Sequence, residues 1–306
     1  MHYALFVIST NAWILTSALL AIVVAFDFTW AIMRRNQNTS LKEATFWCLL
    51  YVSLAIAFGV YLGNWTNSQT QQEFFAGWLT EYSLSFDNLF VFVIILSKLK
   101  IAEKSKQLAL LFGILIALVF RIIAITLGAA AIKQFEWVFF IFGAFLIYTA
   151  IHLFIESSHE KEKEEKESKL ITYLSAKGMK PFTIALLALG ATDIVFALDS
   201  IPAIFGLTQN VYVVVTANVF ALMGLRQLYF LIGGLMQRLI YIGKGLSVIL
   251  GFIGVKLLFH AFHAVDIHRL GGVKIPEITI TQSLSVIVGV LAIATVSSLV
   301  VTTKGK

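Results

Sequence analysis

The chain has 306 residues, of which 59% are hydrophobic and only 13% charged. Soluble domains carry about 45–50% apolar and about 25% charged residues, so a water-soluble fold is excluded as the ordinary reading. The formal charge of +6 would suit nucleic acid in a soluble protein. Here the basic residues lie between long apolar runs, so nucleic acid is not an expected partner and the lipid bilayer is.

The apolar residues fall into nine runs of 18 or more, the length that crosses a hydrocarbon core of about 30 Å. In chain order they are Ala4–Phe26, Ala44–Leu62, Trp78–Leu96, Leu108–Ala131, Val138–Ile155, Phe182–Leu207, Val211–Leu235, Gly245–His263 and Leu284–Val301. None shows the strict alternation of a membrane β-strand, so the expectation is an all-α polytopic protein of about nine transmembrane helices. The N-terminus lacks the basic region of a cleavable signal, so the first span is expected to be retained.

Charge orients the spans. With the N-terminus outside, the outer segments hold only Lys133, Arg269 and Lys274, and Arg121, Arg226 and Lys256 fall within spans. Every other Lys and Arg falls on a segment placed inside. The positive-inside rule therefore predicts N-terminus out and C-terminus in. The densest hydrophilic stretch, 156–181, is read as a charged cytoplasmic loop within a single transmembrane domain, 1–306. The single Cys48 allows no intramolecular disulfide.

That loop separates two related halves, 78–155 and 182–263. Span three carries Glu81 and Asp87, and span six carries Asp193 and Asp199. Each pair is six residues apart, and the second acid is followed by a short polar residue, Asn88 or Ser200. Spans four and seven each carry an arginine with a glycine seven residues later: Arg121 with Gly128, and Arg226 with Gly233. Spans five and eight align on Gly143 and Gly251, which puts Tyr148 opposite Lys256 and His152 opposite His260. Units of three spans must insert in opposite orientations. The prediction is a three-plus-three inverted repeat, a pattern of secondary transporters whose site lies near midplane at the repeat interface.

Ionised acids at lipid depth are costly and must face a cavity or a partner. Glu81, Asp87, Asn88, Asp193, Asp199 and Ser200 offer oxygen ligands only, a set suited to hard divalent cations such as Mn²⁺, Mg²⁺ or Ca²⁺. Six residues of helix turn through about 600°, leaving paired acids about 120° apart in azimuth. Either the helix unwinds locally, which Pro202 favours, or the paired acids serve different roles. In the second case Asp87 and Asp199 hold the metal while Glu81 and Asp193 hold protons. Arg121, Arg226 and Lys256 are supporting charge partners, and the alternative is that they neutralise the acids as structural ion pairs. His260 and His263 share a helix face and form a candidate outer metal relay. Asp27 reads as a boundary residue at the cytoplasmic edge of span one.

The motifs EYSLSFDNLFVF, ATDIVFALDSIPAIF, ANVFALMGLRQLYFLIGG and GFIGVKLLFHAFH resemble the TerC/Alx family of bacterial integral membrane proteins. The resemblance runs from about span two to the end of span eight. It implies a LysE-like transporter fold in the cytoplasmic membrane and export of manganese, with links to tellurium resistance and to the metalation of secreted enzymes. By motif, Glu81, Asp87 and Asn88 match the family's first acidic signature, and Asp193 and Asp199 its second. Tyr82 stands where many members carry a basic residue.

The expected function is therefore efflux of a divalent cation, manganese first, which enters as cargo rather than as a resident cofactor. A broader divalent or calcium/proton exchanger uses the same ligands. A non-transporting partner of secretion machinery or of metal-requiring secreted enzymes is a further alternative. No phosphate-binding GxxxxGK[ST] occurs, so active transport needs an ion gradient. An intramembrane aspartyl protease built on Asp87 and Asp199 lacks its YD and GxGD contexts, so no enzymatic activity is expected.

Overall fold

A computed structural model describes residues 9–34, 40–156, 171, 173–235, 239–270 and 273–304. Most of the predicted charged loop, 157–170, lies outside the described residues.

Short polar residues start the helices. Ser9 caps α1 (Thr10–Met33), its hydroxyl accepting from the Ala12 amide. Ser40 caps α2 (Leu41–Trp65), with Glu43 in the first turn as in a capping box. Asn67 caps α3 (Ser68–Lys98), accepting from the Thr70 amide at 2.8 Å. Helices α4 (Glu103–Gln134) and α5 (Val138–Glu156) complete the first half.

The second half begins with α6 (Pro181–Phe205), which has proline in its first turn, where the missing N–H costs nothing. Asn210 then caps α7 (Val211–Leu222), and α8 (Leu225–Leu235) and α9 (Ile242–Ala264) follow. A two-residue antiparallel pair, β1 (Arg269–Leu270) with β2 (Val273–Lys274), precedes α10 (Ile280–Lys304).

Eight helical stretches among the described residues are long and apolar enough to cross a membrane, against nine expected. The ninth expected run, Trp78–Leu96, lies within α3, a helix of 31 residues in which positions 86, 87 and 90 are not fully among the described residues. Helix α3 lies inside the bundle, packed against α2, α6, α7 and α10. Its buried face includes Phe74, Thr80, Glu81, Ser85 and Asn88. At the periphery, α1 presents Ile14, Leu15, Leu19 and Ile22 outward, the surface a lipid-facing helix needs.

Lipid is as apolar as leucine, so close backbone packing has to supply cohesion. The α5–α9 contact shows how. A Cβ added at Gly143 would meet the Gly254 carbonyl oxygen at 3.0 Å, and one added at Gly254 would meet the Gly143 oxygen at 3.0 Å. Each glycine makes room for the other's backbone.

Of the two alternatives for the paired acids, local unwinding at Pro202 is not seen. Helix α6 runs unbroken through Pro202 to Phe205. Pro202 lies in the last turn, where it removes a single intrahelical bond. The break falls instead in the next span, between α7 and α8. There Gly224 has φ +91, a left-handed conformation that glycine adopts without a Cβ penalty.

Candidate functional site

The buried polar centre forms around Arg121 of α4, which is fully buried. Its Nε donates to Asp193 Oδ2 at 3.3 Å and its Nη2 to Asp193 Oδ1 at 3.2 Å, a side-on bidentate pair with α6. Its Nη1 donates to Ser200 Oγ at 3.2 Å, also on α6, and to Asn218 Oδ1 at 3.1 Å on α7. The same nitrogen pairs with Glu81 of α3. Ser85, one turn along α3, donates to Glu81 Oε1 at 3.1 Å.

Four helices thus meet on one guanidinium. Glu81 and Asp193 are both buried, and Glu81 Oε2 is buried with no hydrogen-bond partner among the described residues. With both acids ionised, the two carboxylates outnumber the one guanidinium. A buried cluster of that net charge attracts a cation or a proton.

The other candidate residues are placed as follows. Asp199 is half-buried and sits away from Arg121, on the side of α6 where Thr149 of α5 donates to its Oδ1 at 3.2 Å. Asp193 and Asp199 therefore point in different directions, as the spacing argument requires. Asn88 is buried on α3, while the side chain of Asp87 lies outside the described residues. Lys256 is half-buried on α9 and forms no ion pair with a described residue.

Among the described residues, Arg226 pairs with neither Glu81 nor the acids of α6. Its Nη2 pairs with Asp27 of α1 at 2.7 Å. Tyr51 Oη and Gln227 Nε2 donate to the same Asp27 oxygen at 2.8 and 3.1 Å. Asp27 is thus corrected from a boundary residue to the acceptor of three side chains inside the bundle.

His260 sits 2.8 Å from the Gln209 amide nitrogen and edge-on to Phe139, and His263 Nδ1 is bound to the Phe259 carbonyl oxygen at 2.7 Å. Among the described residues no three His, Cys, Asp or Glu side chains come together as a metal-holding group.

Sequence reasoning missed Asn218, Ser85 and Thr149. Asn218 left a signal, an amide inside an apolar run, eight residues before Arg226. Ser85 and Thr149 left none, because small hydroxyls are common in membrane helices.

Long apolar helices around a buried charged centre define a multi-pass integral membrane protein. The model of the integral membrane protein TerC family matches residues 66–306, and the chain belongs to that family. An uncharacterized membrane protein of Mycobacterium tuberculosis is 41% identical over 311 residues, covering 94% of this chain and 78% of the relative. An uncharacterized membrane protein of Myxococcus xanthus is 37% identical, covering 87% of this chain and 85% of the relative. Alx of Escherichia coli (strain K12), provisionally named a membrane-bound redox modulator, is 32% identical, covering 82% and 86%. No solved structure matches the chain. The family match begins after α2, so α1 and α2 precede it.

Proposed function

We propose that this protein is a secondary transporter that exports divalent cations, manganese first, through the acidic centre between its two halves. The observation that carries the reading is the convergence of two buried carboxylates, Glu81 and Asp193, on the single guanidinium of Arg121, closed by α3, α4, α6 and α7. Structural pairing alone would need one carboxylate for Arg121. Two carboxylates leave a charge that a cargo cation or a coupling proton neutralises.

Packing supports the inverted repeat. Helix α3 packs on α7 and α4 on α6, while α3 packs on α6 and α5 on α9. Exchanging the halves, so that α3, α4 and α5 trade places with α6, α7–α8 and α9, turns the first two contacts into each other. It returns the last two to themselves. The helix broken at Gly224 supports transport as well, because discontinuous helices expose backbone groups near midplane sites.

In this reading Asp87, Asn88, Asp193, Asp199 and Ser200 supply oxygen ligands along the path with Glu81. The protein sits in the cytoplasmic membrane with its N-terminus outside, and it catalyses no covalent chemistry. The test is radiotracer flux in proteoliposomes containing the purified protein, across Mn²⁺, Mg²⁺ and Ca²⁺. Mn²⁺ movement above protein-free vesicles supports export. Equal movement of all three ions favours the broader divalent exchanger. No movement of any ion favours a non-transporting partner in the metalation of secreted proteins.

A further inference from the structure

A second, part-buried ion pair lies away from the Arg121 centre, where the broken helix meets the first two helices. Arg226 is the second residue of α8, just past the joint at Met223–Gly224. It is bound to Asp27 of α1 at 2.7 Å. Tyr51 of α2 contributes twice. Its hydroxyl donates to Asp27 at 2.8 Å, and its ring and Cβ lie 3.3 Å from where a Cβ on Gly224 would stand. One tyrosine therefore touches both the joint and the ion pair beside it.

Asp27, Arg226 and Tyr51 line a cavity of about 50 Å³ whose other walls are apolar, with Met223, Leu222 and Val219 among them. That volume accommodates a few waters. Two buried polar atoms of α8, Arg226 Nε and Gln227 Oε1, have no hydrogen-bond partner among the described residues. A fully settled structural pair would satisfy both. The other half of the broken helix leads to the first site, because Asn218 of α7 holds Arg121. The joint thus separates a half-helix tied to the Arg121 centre from a half-helix tied to α1.

We infer that Asp27, Arg226 and Tyr51 form a latch that pins α8 to α1 and α2, so that releasing the pair swings α8 about Gly224 and widens the cavity for water. The geometry supplies each part: a glycine joint, a charged catch three residues from Met223, and unpaired polar atoms ready to be hydrated. Neither the identity of the carried ion nor transport itself enters the inference.

The test uses the full chain with Cys48→Ala and Met223→Cys, reconstituted in lipid vesicles and exposed to a small charged methanethiosulfonate. Cutting the catch with Asp27→Asn is expected to speed modification of the new thiol about tenfold, because local opening limits access. The swap Asp27→Arg with Arg226→Asp is expected to restore the parent rate to within about threefold. Tyr51→Phe removes one hydrogen bond and is expected to give an intermediate rate, and it decides the matter if Asp27→Asn does not fold. Parent-like rates in Asp27→Asn, or in Tyr51→Phe where it alone is recovered, would overturn the latch. So would a swap no slower than Asp27→Asn.

Discussion

Asp193 meets Arg121 side-on, one carboxylate oxygen on Nε at 3.3 Å and the other on Nη2 at 3.2 Å. Glu81 reaches the same guanidinium at Nη1, so the two acids share one cation from different helices. Removing the cation strands both carboxylates, whereas removing one acid leaves a matched pair.

That asymmetry sets an order of stabilities. Arg121→Leu is expected to cost about 3–5 kcal/mol, the penalty of an uncompensated buried charge. Glu81→Gln is expected to hold or raise stability, because the Asp193–Arg121 pair survives and one buried charge disappears. Chemical unfolding of the purified variants in detergent measures the order. Glu81→Gln less stable than Arg121→Leu would contradict the shared-cation geometry.

The α5–α9 contact gives a second expectation. Gly143→Val places methyl groups where the Gly254 oxygen and the Leu258 side chain already sit, and overpacking of this kind costs about 1–3 kcal/mol. Gly289→Ala, whose added Cβ meets nothing within 4 Å, is expected to leave stability unchanged. Thermal denaturation of the two variants side by side checks the contrast. Equal midpoints would show that the crossing is looser than its geometry.

How much of this was legible follows from range. The helices were readable because lipid demands about 20 apolar residues in sequence, and the angular separation of Asp193 and Asp199 was readable because helix geometry is local. Asp27 was misread because its partner Arg226 lies 199 positions away, and nothing near Asp27 announces it. Pro202 was a misleading breaker, since a proline in the last turn leaves little helix to disrupt. Gly224 was the true one, but only a positive φ distinguishes it from the many glycines that membrane helices use for packing. Residues 4–8 of the first apolar run lie outside the described residues, within which α1 starts at Thr10 with Ser9 as its cap.

Orientation rests on the distribution of Lys and Arg. In a protein with Cys48 replaced, a cysteine at Gln69 is expected to react with an impermeant thiol reagent added to whole cells. A cysteine at Glu164 is expected to react only after the membrane is opened. Gln69 lies in the first turn of α3, and Glu164 lies outside the described residues. The reverse labelling would overturn the orientation drawn from the positive-inside rule.

The two acids of α6 should separate structure from transport. Asp193 is buried and tied to Arg121 by two hydrogen bonds. Asp193→Asn keeps the shape but removes a charge from that pair, leaving Arg121 matched to Glu81, so the protein is expected to insert and to lose cohesion between α4 and α6. Asp199 is half-buried and accepts a hydrogen bond from the Thr149 hydroxyl. Asp199→Asn is expected to abolish Mn²⁺ efflux while leaving the unfolding midpoint at the parent value, and Asp87→Asn, its counterpart in the first half, is expected to do the same. Efflux and detergent stability measured on the same preparations resolve the two roles. Wild-type efflux in both Asp87→Asn and Asp199→Asn would remove these acids from the transport path, while Arg121 and its two carboxylates would keep their structural role.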